Sequence, residues 1–185
     1  MRVAITCGAS RVDVDKIYLD KSREVIKYLA NQGCELNWGS GEYCIMGICY
    51  EEFNKHGNKI YGYTTKKYIY ELADLPNADH VILDDTFELK KQLFYDSDLL
   101  ICLPGGIGSV SEPLSFIEEI RSNSSSKKLI IYNIEGWFDK INDTLIDLYE
   151  KNFIDNELFS CYKIVNTYDE FVSVYEEIKN QFSRN

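Results

Sequence analysis

Apolar residues follow two periods along this chain, and the two periods alternate from one end to the other. Short runs rich in β-branched and aromatic residues predict strands, and the longer stretches between them have the apolar spacing of amphipathic helices. The predicted strands cover residues 2–7, 34–38, 59–63, 80–83, 99–103, 129–132 and 163–165. This alternation predicts an α/β fold, a three-layer Rossmann-like domain with a mostly parallel sheet flanked by helices.

Helices are predicted between these strands. They cover residues 15–32, a stretch after residue 47 that ends near residue 56, and residues 86–95, 109–121, 138–151 and 168–182. The first helix ends at Gly33, a residue type that suits the left-handed position after a helix. Residues 64–79 have no clear period, so we expect either a long loop, of the kind that often carries function, or an irregular excursion there.

Length and charge limit the number of domains and the class of partner. The 185 residues suit one domain, which we expect to span residues 1–185. Thirty Asp and Glu residues outnumber 20 Lys and Arg residues, which gives a formal net charge of -10. Because an acidic surface repels phosphate backbones and anionic lipids, we expect neither a nucleic-acid polymer nor a membrane as partner.

The cysteines indicate a reducing compartment. The six cysteines form no CxxC pair and no spacing typical of a zinc site, so free thiols are expected. The chain starts directly with a strand-like segment instead of an apolar leader, and none of its apolar runs approaches the length that crosses a bilayer. These features together predict a cytoplasmic protein.

A glycine-rich turn follows the predicted strand 99–103 and precedes the next helix. Its sequence is Pro104-Gly105-Gly106-Ile107-Gly108-Ser109. Glycines let a ligand approach the backbone closely, and a helix N-terminus offers unpaired N–H groups with a partial positive charge. The turn lacks the signatures of a Walker A loop and of GxGxxG. We predict a phosphate site here; the alternative is a plain strand-to-helix turn.

Glu112 follows this turn at a position that two roles could explain. Ser109 and Glu112 have the spacing of a capping box, in which the glutamate would reach back to the start of the helix. Helical periodicity places Val110, Leu114, Ile117 and Ile120 on the core side, and therefore predicts that Glu112 faces outward at the rim of the phosphate site. Pro113 is tolerated best in a first helical turn, which predicts a helix start at residues 109–111.

Lys90 lies within an apolar arc of the predicted helix 86–95. The arc consists of Phe87, Leu89, Leu93 and Phe94. A lysine at such a position can extend its charged end to water along an apolar stem. The alternative is a cation held in a pocket or an interface.

These segments together resemble a known family. The sequence of residues 104–112 is similar to the PGGxGTxxE motif of the LONELY GUY family, cytokinin riboside 5′-monophosphate phosphoribohydrolases once described as possible lysine decarboxylases. Residues 7–10 resemble its CGSS loop, residues 39–47 its GGGxxGLMG segment, and residues 133–139 its NVxGYYD segment. The resemblance covers roughly residues 1–155. The family's MxxRKxxM helix aligns with residues 87–94. Among the departures from the family, Ser40 replaces a glycine, Ser109 a threonine and Lys90 an arginine, and Pro113 stands where a leucine is usual.

The resemblance implies a reaction and a set of site residues. The reaction is attack of water at C1′ of a nucleoside 5′-monophosphate, which releases the free base and ribose 5-phosphate without a cofactor or a metal. Glu112 and Lys90 are the implied catalytic residues. Substrate or phosphate contacts are implied for Gly8, Ser10, Gly39, Gly41, Lys91, Gly105, Gly106, Ile107, Gly108 and Ser109.

The resemblance also implies a homodimer in which the second subunit completes the pocket near Lys90. Two other functions stay open at this point. One is a protein of the same fold that binds or senses a nucleotide without turning it over, and the other is a glycosyl transferase that exchanges bases. A lysine decarboxylase is rejected, because no lysine lies in a cofactor-attachment context.

Overall fold

The computed structural model describes residues 1–123 and 125–182, in which seven parallel strands form one sheet. The strands are β1 (Arg2–Thr6), β2 (Glu35–Trp38), β3 (Ile60–Thr65), β4 (Asp79–Leu83), β5 (Leu99–Cys102), β6 (Lys128–Tyr132) and β7 (Tyr162–Val165). Their order across the sheet is β4-β3-β2-β1-β5-β6-β7. Each neighbouring pair is parallel, so the predicted α/β class is confirmed.

Helices cover both faces of the sheet. They are α1 (Lys16–Asn31), α2 (Cys44–Lys55), α3 (Thr86–Tyr95), α4 (Ile107–Ser122), α5 (Asp139–Glu150) and α6 (Tyr168–Phe182). Short 3-10 helices occur at Lys66–Asp74, Ile134–Gly136 and Asn156–Ser160. Gly33 follows α1 with a φ of 70°, so its predicted left-handed conformation is confirmed.

Alternate residues of the central strands face opposite layers. In β1, Val3 and Ile5 pack into the apolar cluster formed with α1, α2 and α6, whereas Ala4 packs into the cluster formed with α3, α4 and α5. Leu99 and Leu100 of β5 divide between the two clusters in the same way. A strand buried on both faces is apolar throughout, and this explains the continuous apolar runs in the sequence.

The structure corrects two predictions made for segments that border loops. Residues 64–79 are not a continuous loop, because β3 extends to Thr65, a 3-10 helix follows, and β4 begins at Asp79. Helix α4 begins at Ile107, before the predicted start, with Gly106 as N-cap. The predicted capping box between Ser109 and Glu112 is therefore not formed.

The six cysteines are free thiols, as predicted. Within residues 1–123 and 125–182, none of the helices has both the length and the apolar character needed to span a bilayer.

Candidate functional site

A cavity of about 490 Å³ opens at the carboxyl ends of β1 and β5. These two strands are neighbours, and the chain leaves β1 toward one edge of the sheet and continues from β5 toward the other. Such a switch point leaves a crevice in which open α/β sheets usually bind ligands. The cavity is lined by Cys7, Gly8, Ala9, Ser10, Val14, Tyr18, Cys44, Ile45, Met46, Pro104, Gly105, Gly106, Gly108, Ser109, Glu112 and Trp137.

The floor of the cavity is formed where the chain after β1 contacts the chain after β5. The Gly8 N–H donates to the Pro104 carbonyl oxygen at 3.0 Å. A Cβ atom on Gly105 would lie 2.6 Å from the Gly8 nitrogen, and one on Gly8 would lie 3.3 Å from the Gly105 Cα. The two segments can approach this closely only because both residues are glycine. Trp137 fixes the same loop from its other side, since its Nε1–H donates to the Gly105 carbonyl at 3.1 Å.

The N-terminus of α4 faces this floor. Gly106 is the N-cap, and its carbonyl accepts the first helical hydrogen bond from the Val110 N–H at 3.2 Å. The N–H groups of Ile107, Gly108 and Ser109 precede that bond and have no acceptor within the helix. Together with the helix dipole they form a site suited to an anion. Ile107, a predicted contact, is not among the residues that line the cavity, and its side chain is 86% exposed.

The early start of α4 places Pro113 in the second helical turn, and not in the first turn as predicted. Proline has no N–H, so the Ser109 carbonyl loses its normal partner in the helix. The Cys102 thiol of β5 donates to this carbonyl instead, at 3.3 Å. The core side of α4 is consequently formed by Ser109, Pro113, Phe116, Ile117 and Ile120.

Glu112 lies on the cavity wall, which corrects the prediction that it faces outward. Its side chain is half-buried, and within residues 1–123 and 125–182 its carboxylate accepts no hydrogen bond. Protein atoms surround the carboxyl group on most sides. This loss of hydration raises the pKa of Glu112 to about 7, while the charge of Lys90 acts in the opposite direction. A carboxyl group of this kind changes its charge near neutral pH.

Lys90 and Lys91 do not line the cavity. Both line a separate groove of about 350 Å³ between α3 and α4. The Lys90 ammonium lies 5.8 Å from the centre of the Phe87 ring, and its charge is close enough to Glu112 to lower the pKa of that carboxyl. Within one chain, Lys90 therefore influences the cavity through its charge and does not line it.

Of three other residues predicted to contact the substrate, the structure places one in the cavity and two outside it. Ser10 lines the cavity, and its hydroxyl accepts a hydrogen bond from the Val12 N–H at 3.2 Å. Gly39 and Gly41 do not line the cavity but lie against Met46, which does. A Cβ atom on Gly41 would lie 2.7 Å from the Met46 sulfur, so this glycine makes room for a side chain of the cavity wall.

Several lining residues were not predicted as site residues. Met46 and Trp137 lie within segments that resemble family motifs, so position within a motif was the available signal. Val14 precedes α1 and Tyr18 lies in its first turn, and the periodicity gave no reason to select them. Among the described residues of the 64–79 segment, none lines the cavity.

A family model for proteins described as possible lysine decarboxylases matches residues 46–175. The chain belongs to the LONELY GUY family. A curated relative from Mycobacterium tuberculosis, named cytokinin riboside 5′-monophosphate phosphoribohydrolase, is 30% identical over 154 residues, which are 82% of this chain and 81% of that protein. A relative from Oryza sativa, named as a probable enzyme of that activity, is 24% identical over 184 residues, which are 99% of this chain and 75% of that protein.

Solved structures agree with this chain in fold. The molybdenum cofactor binding protein from Rippkaea orientalis superposes with a TM-score of 0.66 at 13% identity, over 96% of both chains. The Moco carrier protein of Chlamydomonas reinhardtii superposes with a TM-score of 0.64 at 10% identity, over 97% of this chain and 98% of that chain. At these identities the likeness shows the Rossmann-like fold of this LONELY GUY family member, and the fold alone.

Proposed function

We propose that this protein is a nucleoside 5′-monophosphate phosphoribohydrolase, which releases a free base and ribose 5-phosphate. The observation that carries the proposal is the position of Glu112, an unpaired carboxylate on the wall of a cavity that is also lined by the start of α4. The names of the curated relatives support the same reaction class.

The 5′-phosphate is proposed to bind at the start of α4. The N–H groups of Ile107, Gly108 and Ser109 would donate to its oxygens, and the helix dipole would favour its charge. Neutral amides can hold one phosphate even though the chain has a net charge of -10. Binding energy from the phosphate would then position C1′ of the ribose near Glu112.

Glu112 is proposed to act in its ionised form. As the bond between C1′ and the base nitrogen breaks, its electron pair moves to the base and positive charge develops on the ribose. A nearby carboxylate stabilises that charge and can orient the water whose oxygen bonds to C1′. One proton of the water leaves with the product base, so the reaction is balanced without a redox partner.

Lys90 is still proposed to take part in catalysis. Within one chain its role would be indirect, because it does not line the cavity. Its positive charge lowers the pKa of Glu112, which enlarges the ionised fraction of that carboxyl at neutral pH. A direct contact between Lys90 and the substrate would require the second subunit to bring its groove to the cavity.

The direct test is to incubate the protein with AMP, dAMP and a cytokinin riboside 5′-monophosphate and to measure free base and ribose phosphate by chromatography. We expect base release, and we expect Glu112→Gln to lower kcat by a factor of about 10²–10⁴ while nucleotide binding persists. Glu177→Gln is the matched control, because this exposed glutamate of α6 lies in neither the cavity nor the groove.

The same experiment separates the alternatives. Binding of all three nucleotides without base release would contradict the hydrolase and support a nucleotide-binding or sensing protein, an alternative favoured by the position of Lys90 outside the cavity. Exchange products that form only when a second free base is added would support a base-exchanging transferase.

A homodimer through the groove between α3 and α4 is part of this proposal. The groove contains Phe87, Phe94, Tyr95 and Phe116, with Lys90 and Lys91 on its α3 side and Glu118 and Glu119 on its α4 side. A two-fold axis would place the lysines of one copy opposite the glutamates of the other. Such a contact would cover Phe87, which is 79% exposed, and would lie beside the cavity.

Light scattering after size exclusion tests the dimer. We expect a mass of two chains for the unmodified protein and of one chain for Phe87→Glu. Phe182→Glu is the control, because α6 lies on the opposite face of the sheet. A Phe87→Glu protein that still elutes as a dimer would contradict this interface.

A further inference from the structure

Cys44 brings a thiol into the cavity at the first residue of α2. Its sulfur lies 3.6 Å from the point that a Cβ atom on Gly8 would occupy, and the Gly105 Cα lies 3.3 Å from the same point. The thiol is therefore beside the proposed phosphate loop. Ile45 and Met46, the next two residues of α2, also line the cavity.

The backbone at Cys44 has a left-handed conformation, with a φ of 54°. A residue with a Cβ atom adopts this conformation at a cost, and glycine adopts it freely. Ser40, in the loop before α2, has a φ of 53°, but its hydroxyl makes an internal hydrogen bond of 3.1 Å with His80 Nδ1. The Cys44 side chain instead faces the cavity, at the position where the GGGxxGLMG motif has a glycine.

A second, independent feature of the same cavity points to a ligand. Glu112 is half-buried on the cavity wall, and no donor within residues 1–123 and 125–182 reaches its carboxylate. A bound molecule that presents hydroxyl groups could donate to this carboxylate. Cys44 and Glu112 line the same cavity as the amides at the start of α4.

We propose that Cys44 is a specificity-determining residue whose thiol packs against the ribose of the bound nucleoside 5′-monophosphate. This inference rests on the proposed phosphoribohydrolase activity. The amides of residues 107–109 would hold the phosphate on one side of the thiol, and the apolar wall that includes Met46 would hold the base on the other. The ribose that joins them would pass the sulfur. The thiol offers a polarizable surface and a weak hydrogen-bond donor to the sugar.

Thiol alkylation can report on this position selectively. Cys44 is half-buried, and the other five cysteines are buried. Burial raises the pKa of Cys7 well above its ordinary value and that of Cys102 to about 12, so these two remain protonated and unreactive. Burial raises the pKa of Cys34 and Cys161 as well.

The first test measures alkylation of each cysteine by iodoacetamide, with mass spectrometry as readout. The Glu112→Gln protein is used so that a bound nucleotide is not consumed. We expect Cys44 to react first, and we expect AMP or ribose 5-phosphate at about ten times its dissociation constant to slow this reaction about tenfold. Adenine and inorganic phosphate, which lack the sugar, should slow it less than about threefold at the same occupancy. A saturated AMP complex in which Cys44 reacts at the free rate would overturn the proposal.

The second test compares two relaxing substitutions. Cys44→Gly removes the thiol where glycine suits the backbone, so we expect a folded protein whose KM for AMP rises about fivefold to tenfold with a smaller change in kcat. Ser40→Gly is the control, since it relaxes the other left-handed residue of this segment without changing the cavity lining. It also removes the hydrogen bond to His80, which lies outside the cavity, and its KM should stay within about twofold. Cys44→Ser should restore most of the lost affinity. An unchanged KM in Cys44→Gly would contradict the inference.

The two proposals fail in different ways. Protection of Cys44 by AMP without base release from the unmodified protein would support the contact and contradict the hydrolase. Base release without protection would do the reverse, and a protein that binds no nucleoside monophosphate would contradict both.

Discussion

Carboxylates at the two ends of the sheet differ in their hydrogen-bond partners. At the carboxyl ends of the strands, the Glu112 carboxylate lies in a cavity and has no hydrogen-bond partner in the described part of the chain. At the amino ends, the Asp98 carboxylate accepts from the Arg2 N–H at 2.8 Å, and the Asp96 carboxylate accepts from the Tyr63 hydroxyl at 2.7 Å. The Glu112 carboxylate is thus left without a partner in the described part of the chain, whereas these two carboxylates at the amino end are paired within it.

Lys127 shows how the amino end is held together. Its ammonium donates to the carbonyl oxygens of Phe94 and Tyr95 at 2.8 and 3.2 Å, and also to that of Ser97. It thereby satisfies carbonyls at the end of α3, which have no partner within the helix. Asn37 of β2 donates to the Asp96 carbonyl and to the Ser97 hydroxyl at the same place.

This difference separates stability from function along the strands. Substitutions at the amino end should reduce the free energy of unfolding and leave the cavity unchanged. Substitutions at the carboxyl end should change ligand binding or turnover, and removal of the Glu112 charge should even stabilise the fold. Four predictions test this separation.

The largest expected effect is the stability of Glu112→Gln as a function of pH. The pKa of Glu112 is raised from 4.5 to about 7 in the folded protein, so between these values the folded state holds a proton that the unfolded state has released. The contribution of Glu112 to stability therefore falls as the pH rises from 4.5 to 7, whereas glutamine, which is always neutral, avoids this loss. We expect the variant to be more stable at pH 8 by on the order of 2–3 kcal/mol.

Urea unfolding of both proteins at pH 5, 6, 7 and 8 measures this difference. Groups other than Glu112 titrate equally in the two proteins, so their contributions cancel. A difference that stays constant over this range would show that Glu112 is hydrated in the folded state.

The second effect concerns Lys127 at the amino end. Lys127→Met keeps the length of the side chain but removes its hydrogen bonds to the carbonyls after α3, and should lower the free energy of unfolding by about 2 kcal/mol. Lys128→Met, at the next residue, is the control and should change it by less than about 0.5 kcal/mol. Kinetics with a nucleoside monophosphate should be unchanged in both variants. A loss of turnover in Lys127→Met would contradict the separation of the two ends.

The architecture can be predicted from the sequence because the periodicity of the helices and the apolar runs of the strands are both local signals. Helix α3 occupies residues 86–95, the range that its periodicity predicts, and its N-cap Asp85 accepts from the Phe87 and Glu88 N–H groups at 2.7 and 2.9 Å. Strand β5 is buried on both faces and is therefore apolar throughout, and this apolar run is visible in the sequence. Where a local signal and the tertiary structure agree, the prediction is close.

The start of α4 could not be predicted in the same way. The spacing of Ser109 and Glu112 is a valid capping pattern, but Gly106 becomes the N-cap where Gly105 packs against Gly8. These two glycines are far apart in sequence, so a pattern of neighbouring residues cannot predict their contact. The same limitation explains why Glu112 was predicted to face outward and why Trp137 was not predicted to hold the loop.

The third effect is that of a single hydrogen bond at the amino end. Tyr63→Phe removes the hydroxyl that donates to Asp96 and should lower the free energy of unfolding by about 1 kcal/mol. Burial and the Asp96 carboxylate both raise the pKa of Tyr63, so the hydroxyl stays protonated and available as a donor. Tyr61→Phe is the matched control, because its ring lies 3.8 Å from the Arg2 guanidinium carbon and phenylalanine keeps that ring. Equal losses in the two variants would show that the hydrogen bond contributes nothing measurable.

The smallest expected effect is a change in the pKa of Glu112 when the charge of Lys90 in the groove is removed. Because Lys90 lowers the pKa of Glu112, Lys90→Met should raise that pKa by about half a unit, and Lys91→Met, which removes a more exposed charge of the same helix, should raise it less. The carboxyl carbon resonance of Glu112, followed by NMR through a pH titration, measures the pKa directly and does not depend on turnover. Base release by Lys90→Met should then rise with pH through a higher midpoint, since Glu112 is proposed to act when ionised. If the midpoint is unchanged, the charge of Lys90 is screened before it reaches the cavity, and its proposed role would require contact with the substrate in the dimer.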